Sequence, residues 1–243
     1  MKLQGKTALV TGGGTGIGAG IALALAAEGC RVALAGRRLE KLREVAARST
    51  SGPAMLVHPV DVGDRASVEE LFRWAEGELG QIDILVNSAG VNFPRRTMAD
   101  MEPATWDKIM TINASGVYDC IRCALPAMRK RRDGLIVNIC STAGKRTSML
   151  AGVAYCASKF AVSALSSTVA LEEGKNGIRV TSICPGEVET PILDDRPIKP
   201  TAEHRARMLQ PEDVAAAVLM IACLPPRAHI AELVIKPVGQ DYD

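Results

Sequence analysis

Lys6-Thr-Ala-Leu-Val-Thr-Gly-Gly-Gly-Thr-Gly-Ile-Gly18 is the stretch from which the rest of this chain is read. Residues 6–11 have the apolar, partly β-branched composition of a short buried strand, and Ile21 to Ala27 is an apolar helical run. Strand, glycine-rich turn and helix, in that order, form the context a phosphate-binding turn requires. Glycine lets the backbone pass close to a pyrophosphate, and the start of a helix offers free N–H groups and the positive end of its dipole. Two spacings can be read here. Gly14-x-Gly16-x-x-Ala19 fits the dinucleotide fingerprint loosely, whereas Gly12-x-x-x-Gly16-x-Gly18 begins at the strand end and is preferred.

Working outward, Arg31–Ala35 reads as a second strand that runs into Gly36-Arg37-Arg38. An acidic side chain near this strand end suits ribose hydroxyls, and an Arg suits a 2′-phosphate. Positions 35–38 hold no carboxylate and two guanidiniums, so NADP is expected ahead of NAD. A helix follows over 39–48. Met55–Val60 gives a third strand closed by Asp61, and Ser67-Val-Glu-Glu70 reads as a capping box opening a helix to about Leu79. Ile82–Val86 is a fourth strand, ending in Asn87-Ser-Ala-Gly90. Asp61 and Asn87 thus lie at strand C-terminal ends, where open parallel sheets bind ligands.

A long helical region starts at Pro103. Asn113 and Gly116 weaken it in the middle, which suggests a kink or a polar task. Leu135–Cys140 is a fifth strand with Ser141 directly after it, and a helix from Tyr155 to about Glu173 follows the next loop. Ile178–Cys184 is a sixth strand, stopped by Pro185-Gly186. Residues 190–210, rich in Pro, Asp, Arg and Lys, have the composition of a mobile lid. A helix from Pro211 through Cys223 and a last strand over 233–236 complete the chain. Strands alternate with helices throughout and no linker intervenes. The expectation is one α/β domain over 1–243, a doubly wound parallel sheet of about seven strands with helices on both faces.

Composition narrows the function classes. The 29 basic and 27 acidic residues leave a formal charge of +2, which does not suggest a nucleic-acid or membrane-surface protein. Arg129-Lys-Arg-Arg132 reads as a solvated helix C-terminus. No apolar leader and no run of membrane-spanning length are evident, and the seven cysteines have no framework spacing. A soluble, cytoplasmic protein is expected. Cys120-x-x-Cys123 falls inside a helix, without the dipole that would activate a thiol, and reads as packing; so do Cys140 and Cys156, although alkylation there could block a neighbouring site. No metal site is expected.

Tyr155 and Lys159 stand four residues apart, hence one above the other on a helix face. A nearby ammonium favours the phenolate, which makes such a pair a plausible acid/base device. Ser141, at a strand end, could donate to the same oxygen as the tyrosine.

Thr11-Gly-x-x-x-Gly-Ile-Gly18, Asn87-Ser-Ala-Gly90, Asn113, Ser141, Tyr155-x-x-x-Lys159 and Pro185-Gly-x-Val-x-Thr190, in this order, resemble the short-chain dehydrogenase/reductase family along essentially the whole chain. The resemblance implies hydride exchange between a nicotinamide cofactor and a carbonyl or alcohol. Ser141 would hold the substrate oxygen, Tyr155 would be general acid or base, Lys159 would bind ribose hydroxyls and tune Tyr155, and Asn113 would anchor a water relaying protons to Lys159. Gly12, Gly14, Thr15, Gly16, Ile17 and Gly18 would cradle the pyrophosphate, with Arg37 and Arg38 at the adenosine end. Asp61 and Val62 would meet the adenine, and Asn87, Ala89 and Gly90 the adenosine ribose side. Pro185, Gly186, Val188 and Thr190 would hold the carboxamide.

Four departures from the family pattern stand out: Ser88 in place of a second Asn, Thr15 where some NADP users carry a basic residue, a slightly longer 141–155 loop, and an ending without Asp-Gly-Gly. The last points toward hydroxy-acid dehydrogenases and broad carbonyl reductases. A 3-oxoacyl thioester reductase is the alternative among enzymes, and a silent cofactor-binding scaffold the alternative outside them. Asn92, Phe93, Arg95, Arg96, Lys145, Arg146, Met149 and Glu187 are the candidates to face a small carbonyl or hydroxy-acid substrate. The family resemblance also implies a dimer or tetramer built on the helices around 103–130 and 155–173.

Overall fold

The first strand, β1 (Thr7–Thr11), is buried at every residue, as its continuous apolar run demands of a central parallel strand. The structure, a computed structural model, describes residues 1–240; the last three residues of the expected 1–243 domain lie outside the described part. β1 pairs in parallel with β2 (Arg31–Gly36) on one side and β4 (Ile84–Asn87) on the other, and β2 carries β3 (Leu56–Pro59). Beyond β4 come β5 (Gly134–Ile139), β6 (Ile178–Pro185) and β7 (Glu232–Ile235), each parallel to its neighbour. The seven-stranded order β3-β2-β1-β4-β5-β6-β7 reverses direction between β1 and β4, and that reversal opens a crevice at the strand C-termini.

Helices cover both faces. α1 (Gly16–Ala27), α2 (Leu39–Ala47) and α8 (Pro211–Ala222) bury Ile21, Leu25, Leu42, Val45, Val214 and Ile221 against one face. α3 (Arg65–Leu79), α5 (Gly116–Arg131) and α6 (Val153–Glu173) bury Val68, Leu71, Phe72, Ile121, Met128, Val162 and Val169 against the other. α1 starts at Gly16, earlier than the apolar run from Ile21 suggests, because the turn glycines enter the helix. α3 starts at Arg65, and its cap is Asp64, which accepts from the Ala66 N–H at 3.0 Å. Ser67 instead accepts from the Asp61 N–H at 3.2 Å, so the capping box read at Ser67 does not form.

α4 (Pro103–Met110) runs into a π-helical turn over 111–115 and then into α5, so the weakness read at Asn113 is a helix defect with a polar function for its side chain. The basic end of α5 is not simply solvated. Arg129 pairs with buried Glu173, Arg131 donates to the Ile82 carbonyl, and Arg132 donates to the Lys175 carbonyl at 2.6 Å. Segment 190–210 contains a 3-10 turn (Pro191–Asp195) and one short helix, α7 (Ala202–Ala206). An isolated bridge between Val188 and Leu209 closes the base of that segment. α6 with the turn after it is long and apolar enough to cross a membrane by length and composition, but it packs on β6 and buries Ser158, Lys159, Ser163, Ser166 and Glu173.

Candidate active site

At the end of β1, Gly12 takes a φ of +68°, and a Cβ there would lie 2.7 Å from the Ala89 backbone nitrogen. Only glycine fits this approach between the β1 and β4 termini. α1 then begins with Thr15 as N-cap; the Thr15 side chain makes no capping bond, and among the described residues no acidic side chain stands in the first turn. The helix start therefore keeps donors and positive dipole for an anion.

These elements border a cleft of about 570 Å³. Its wall includes Gly12, Gly14, Thr15, Gly16, Ile17, Arg37, Arg38, Asp61, Val62, Ala89 and Gly90, together with Ser141, Tyr155, Lys159, Pro185, Gly186, Val188 and Thr190. Three of the residues named from sequence lie beneath the wall. Gly18 packs against Gly12, where a side chain would collide with the Gly12 carbonyl. Asn87 donates to Asn138 Oδ1 at 2.8 Å, and Asn138 donates to Ser166 Oγ on α6 at 2.9 Å, so two strands and a helix are cross-linked under the cleft. Asn113, fully buried, accepts from the Val91 N–H at 2.8 Å and donates to the Val91 carbonyl at 3.0 Å and to Ser158 Oγ at 3.2 Å. It fastens the loop after β4 to the helix that carries Tyr155.

Ser141 Oγ accepts from the Ala143 N–H at 3.1 Å, which leaves its own hydrogen free to donate into the cleft. Lys159, 5% exposed, donates to the Ile139 carbonyl at 2.9 Å and lies 5.5 Å from the Tyr155 ring centre. Cys140, between Ile139 and Ser141, lines the same wall. Its thiol is held below the usual range by a hydrogen bond with Cys184 and then by the Lys159 charge, against the opposing effect of burial. Cys120, by contrast, is fully buried and its thiol is pushed up by desolvation.

At the far end of the cleft Asn92, Arg96 and Glu187 line the wall as expected from sequence, whereas Phe93, Arg95, Lys145, Arg146 and Met149 do not. Met149 points outward with 96% exposure; Arg95 pairs with Glu102 at 3.6 Å and Lys145 with Glu232 at 2.7 Å, both outside the cleft. Arg196, from the segment read as a lid, lines the wall as well, and so do Lys41, Ser148, Leu150 and Gln240, which no motif singled out. Arg196 pairs with Glu187 at 2.8 Å and His204 reaches the other Glu187 oxygen at 2.7 Å. Burial pulls the Glu187 carboxyl upward, but the hydrogen bonds from His204 and Arg196 outweigh it and hold the group below the usual carboxylate range.

The donor set fits a nicotinamide dinucleotide: a side-chain-free turn at a helix start for the pyrophosphate, two exposed guanidiniums beyond it, and a hydroxyl, a phenol and an ammonium at the other end. Comparison with known proteins agrees. A family profile described as short chain dehydrogenase matches residues 6–200. The chain is 39% identical over 241 residues to a glycine betaine reductase of Emericella nidulans, covering 97% of this chain but 19% of that longer protein. It is 36% identical over 236 residues to an uncharacterized oxidoreductase of Staphylococcus aureus (strain USA300), covering 97% and 99% of the two. Among solved structures, a serine dehydrogenase complexed with NADP+ superposes with a TM-score of 0.88 at 32% identity, covering 97% and 96% of the two chains. Fold, turn and matched sequence together place this chain in the short-chain dehydrogenase/reductase family, as an NAD(P)-dependent oxidoreductase.

Proposed function

We propose that the protein interconverts an alcohol with a ketone or aldehyde, prefers NADP, and acts on a small carbonyl or hydroxy-acid substrate. One observation carries this reading: Ser141, Tyr155 and Lys159 border the same cleft as the glycine turn and Arg37–Arg38. Bound NADPH supplies the hydride for the carbonyl carbon. As charge builds on the oxygen, Ser141 donates a hydrogen bond and Tyr155 gives up its proton; in the reverse direction Tyr155 takes the proton back. Lys159 spends one of its three donors on Ile139 and keeps two for ribose hydroxyls, with its charge beside the phenol. Asn113 has its side chain committed to Val91 and Ser158, so its part in a proton relay rests on its backbone. Residues 190–210 serve as a lid over the substrate end. Tyr118, Phe160 and Leu171, exposed on α5 and α6, support association of copies into a dimer or tetramer.

The test follows NADPH absorbance with a panel of ketones, aldehydes, oxo acids and 3-oxoacyl thioesters, using wild type and Tyr155→Phe. Turnover is expected with a small carbonyl or oxo acid, and Tyr155→Phe should lose about 10³-fold in kcat while its cofactor affinity stays near wild type. Exclusive thioester turnover would transfer the reading to an acyl-thioester reductase. Tight NADPH binding without turnover would make the protein a binding module, and an active Tyr155→Phe would remove the acid/base role.

A further inference from the structure

Arg96 and Arg95 are neighbours in sequence with opposite placements: Arg95 has 72% of its side chain exposed, and Arg96 is 4% exposed. Arg96 donates to the Phe93 carbonyl at 2.9 Å, to the Leu150 carbonyl at 2.8 Å and to the Asp195 carbonyl at 2.5 Å. Its own carbonyl accepts from the Val153 N–H at 3.0 Å, at the first residue of α6 and two residues before Tyr155. Gly152, with a φ of +83°, has no room for a Cβ beside the Arg96 side chain. Both residue 96 and residue 195 line the cleft. Burial, and then the neighbouring Arg196 charge, lower the pKa of the Arg96 guanidinium. A buried cation held by neutral carbonyls is costly, and a planar fork of donors is what allows three segments to be held at once.

We propose that Arg96 is a positioning residue that fastens the 190–196 segment and the 148–151 loop to the N-terminus of the helix bearing Tyr155, so that the substrate wall and the phenol keep one fixed relation. The inference rests on the reading of Tyr155 given above. Lysine keeps the charge but cannot span three carbonyls, so Arg96→Lys removes the fastening and leaves the electrostatics.

Amide hydrogen exchange of the protein without substrate, followed by mass spectrometry, tests the fastening independently of turnover. In Arg96→Lys, exchange should quicken about tenfold over 148–151 and 190–196 and stay at wild-type rates over 31–36 and 178–184. In parallel kcat/KM for the carbonyl should fall roughly 30-fold while NADPH affinity holds within about twofold. Millimolar guanidinium should restore activity to Arg96→Ala, which keeps the test readable if one variant folds poorly. Wild-type exchange and turnover in Arg96→Lys would overturn the proposal. So would quickened exchange across the whole sheet, which would make Arg96 a general stability residue. If no carbonyl is turned over by wild type, the exchange result still decides the fastening, and only the proposed reaction is lost.

Discussion

Arg37 and Arg38 stand exposed where β2 runs out, on the rim of the cleft. No carboxylate occupies positions 35–38, so nothing there would repel an added phosphate or accept from ribose hydroxyls. Arg37→Asp should therefore lower kcat/KM for NADPH by about 10- to 100-fold, the loss of one charge-assisted phosphate contact, and raise it for NADH. The ratio of the two kcat/KM values measures it, and an unchanged ratio would shift the phosphate's partner to Arg38 or to Lys41, which also lines the wall. The placement of these two guanidiniums on the cleft rim was readable from the strand-end position alone. The burial of Arg96 was not. In Phe93-Pro-Arg-Arg96 nothing local separates a solvated guanidinium from a buried one, and its bonding partners lie up to 99 residues away.

Among the elements, α6 carries Tyr155 and Lys159 at one end and buried Glu173 at the other, where Arg129 of α5 holds it in an ion pair. The Arg129 hydrogen bond, outweighing burial and joined by Asn176, keeps the Glu173 carboxyl below the usual range. A depressed carboxyl contributes stability above its unfolded value, and that contribution is lost as pH falls through the folded value. Arg129→Met should thus cost about 2 kcal/mol at neutral pH, the loss of a charged hydrogen bond to a buried carboxylate that Asn176 would then hold without a cation. The gap between variant and wild type should close as pH falls below the ordinary carboxylate range and through the depressed Glu173 value. Urea unfolding at a series of pH values checks both, and a gap independent of pH would mean that Arg129 acts through packing alone. The seven strands and the helices that cover them were legible, but not every edge, nor α7 and the 3-10 turn within 190–210, which carry no apolar periodicity. Asp64 and Ser67 carry the same capping chemistry three residues apart, and the loop after β3 decides between them by giving Ser67 the Asp61 N–H. Likewise Asn113 signalled a helix fault, while its bond to Val91 depends on tertiary packing that spacing does not encode.

For the molecule as a whole, alternating strands and helices made a parallel sheet legible, and its reversal between β1 and β4 puts the glycine turn and Arg37–Arg38 at one cleft along the strand C-termini. The far end of the cleft is assembled from loops at 92–96, 148–151 and 187–196, joined by side-chain bonds from Asn92 and Arg96 to carbonyls, and such contacts leave no periodic trace. The cleft runs between elements from both halves of the sheet, so a ligand lying in it ties those halves together. NADPH at roughly a hundred times its Kd should add about 2.7 kcal/mol to stability, raising Tm by about 5–10 °C for a chain of this size. NADH at the same concentration should do less. Differential scanning calorimetry reads both, and equal shifts would argue against a 2′-phosphate preference.

The Val188–Leu209 bridge has a consequence for how such a fold diversifies. Glu189 donates to the Leu209 carbonyl at 2.8 Å and Leu209 to the Glu187 carbonyl at 3.0 Å, so the chain leaves and rejoins the scaffold at one point. Lengthening what lies between adds little closure entropy, because that cost grows only with the logarithm of the number of residues. Insertions between Arg196 and Leu209 can accordingly recut the mouth of the groove for new clients while Thr190 and the nucleotide seat keep their shape.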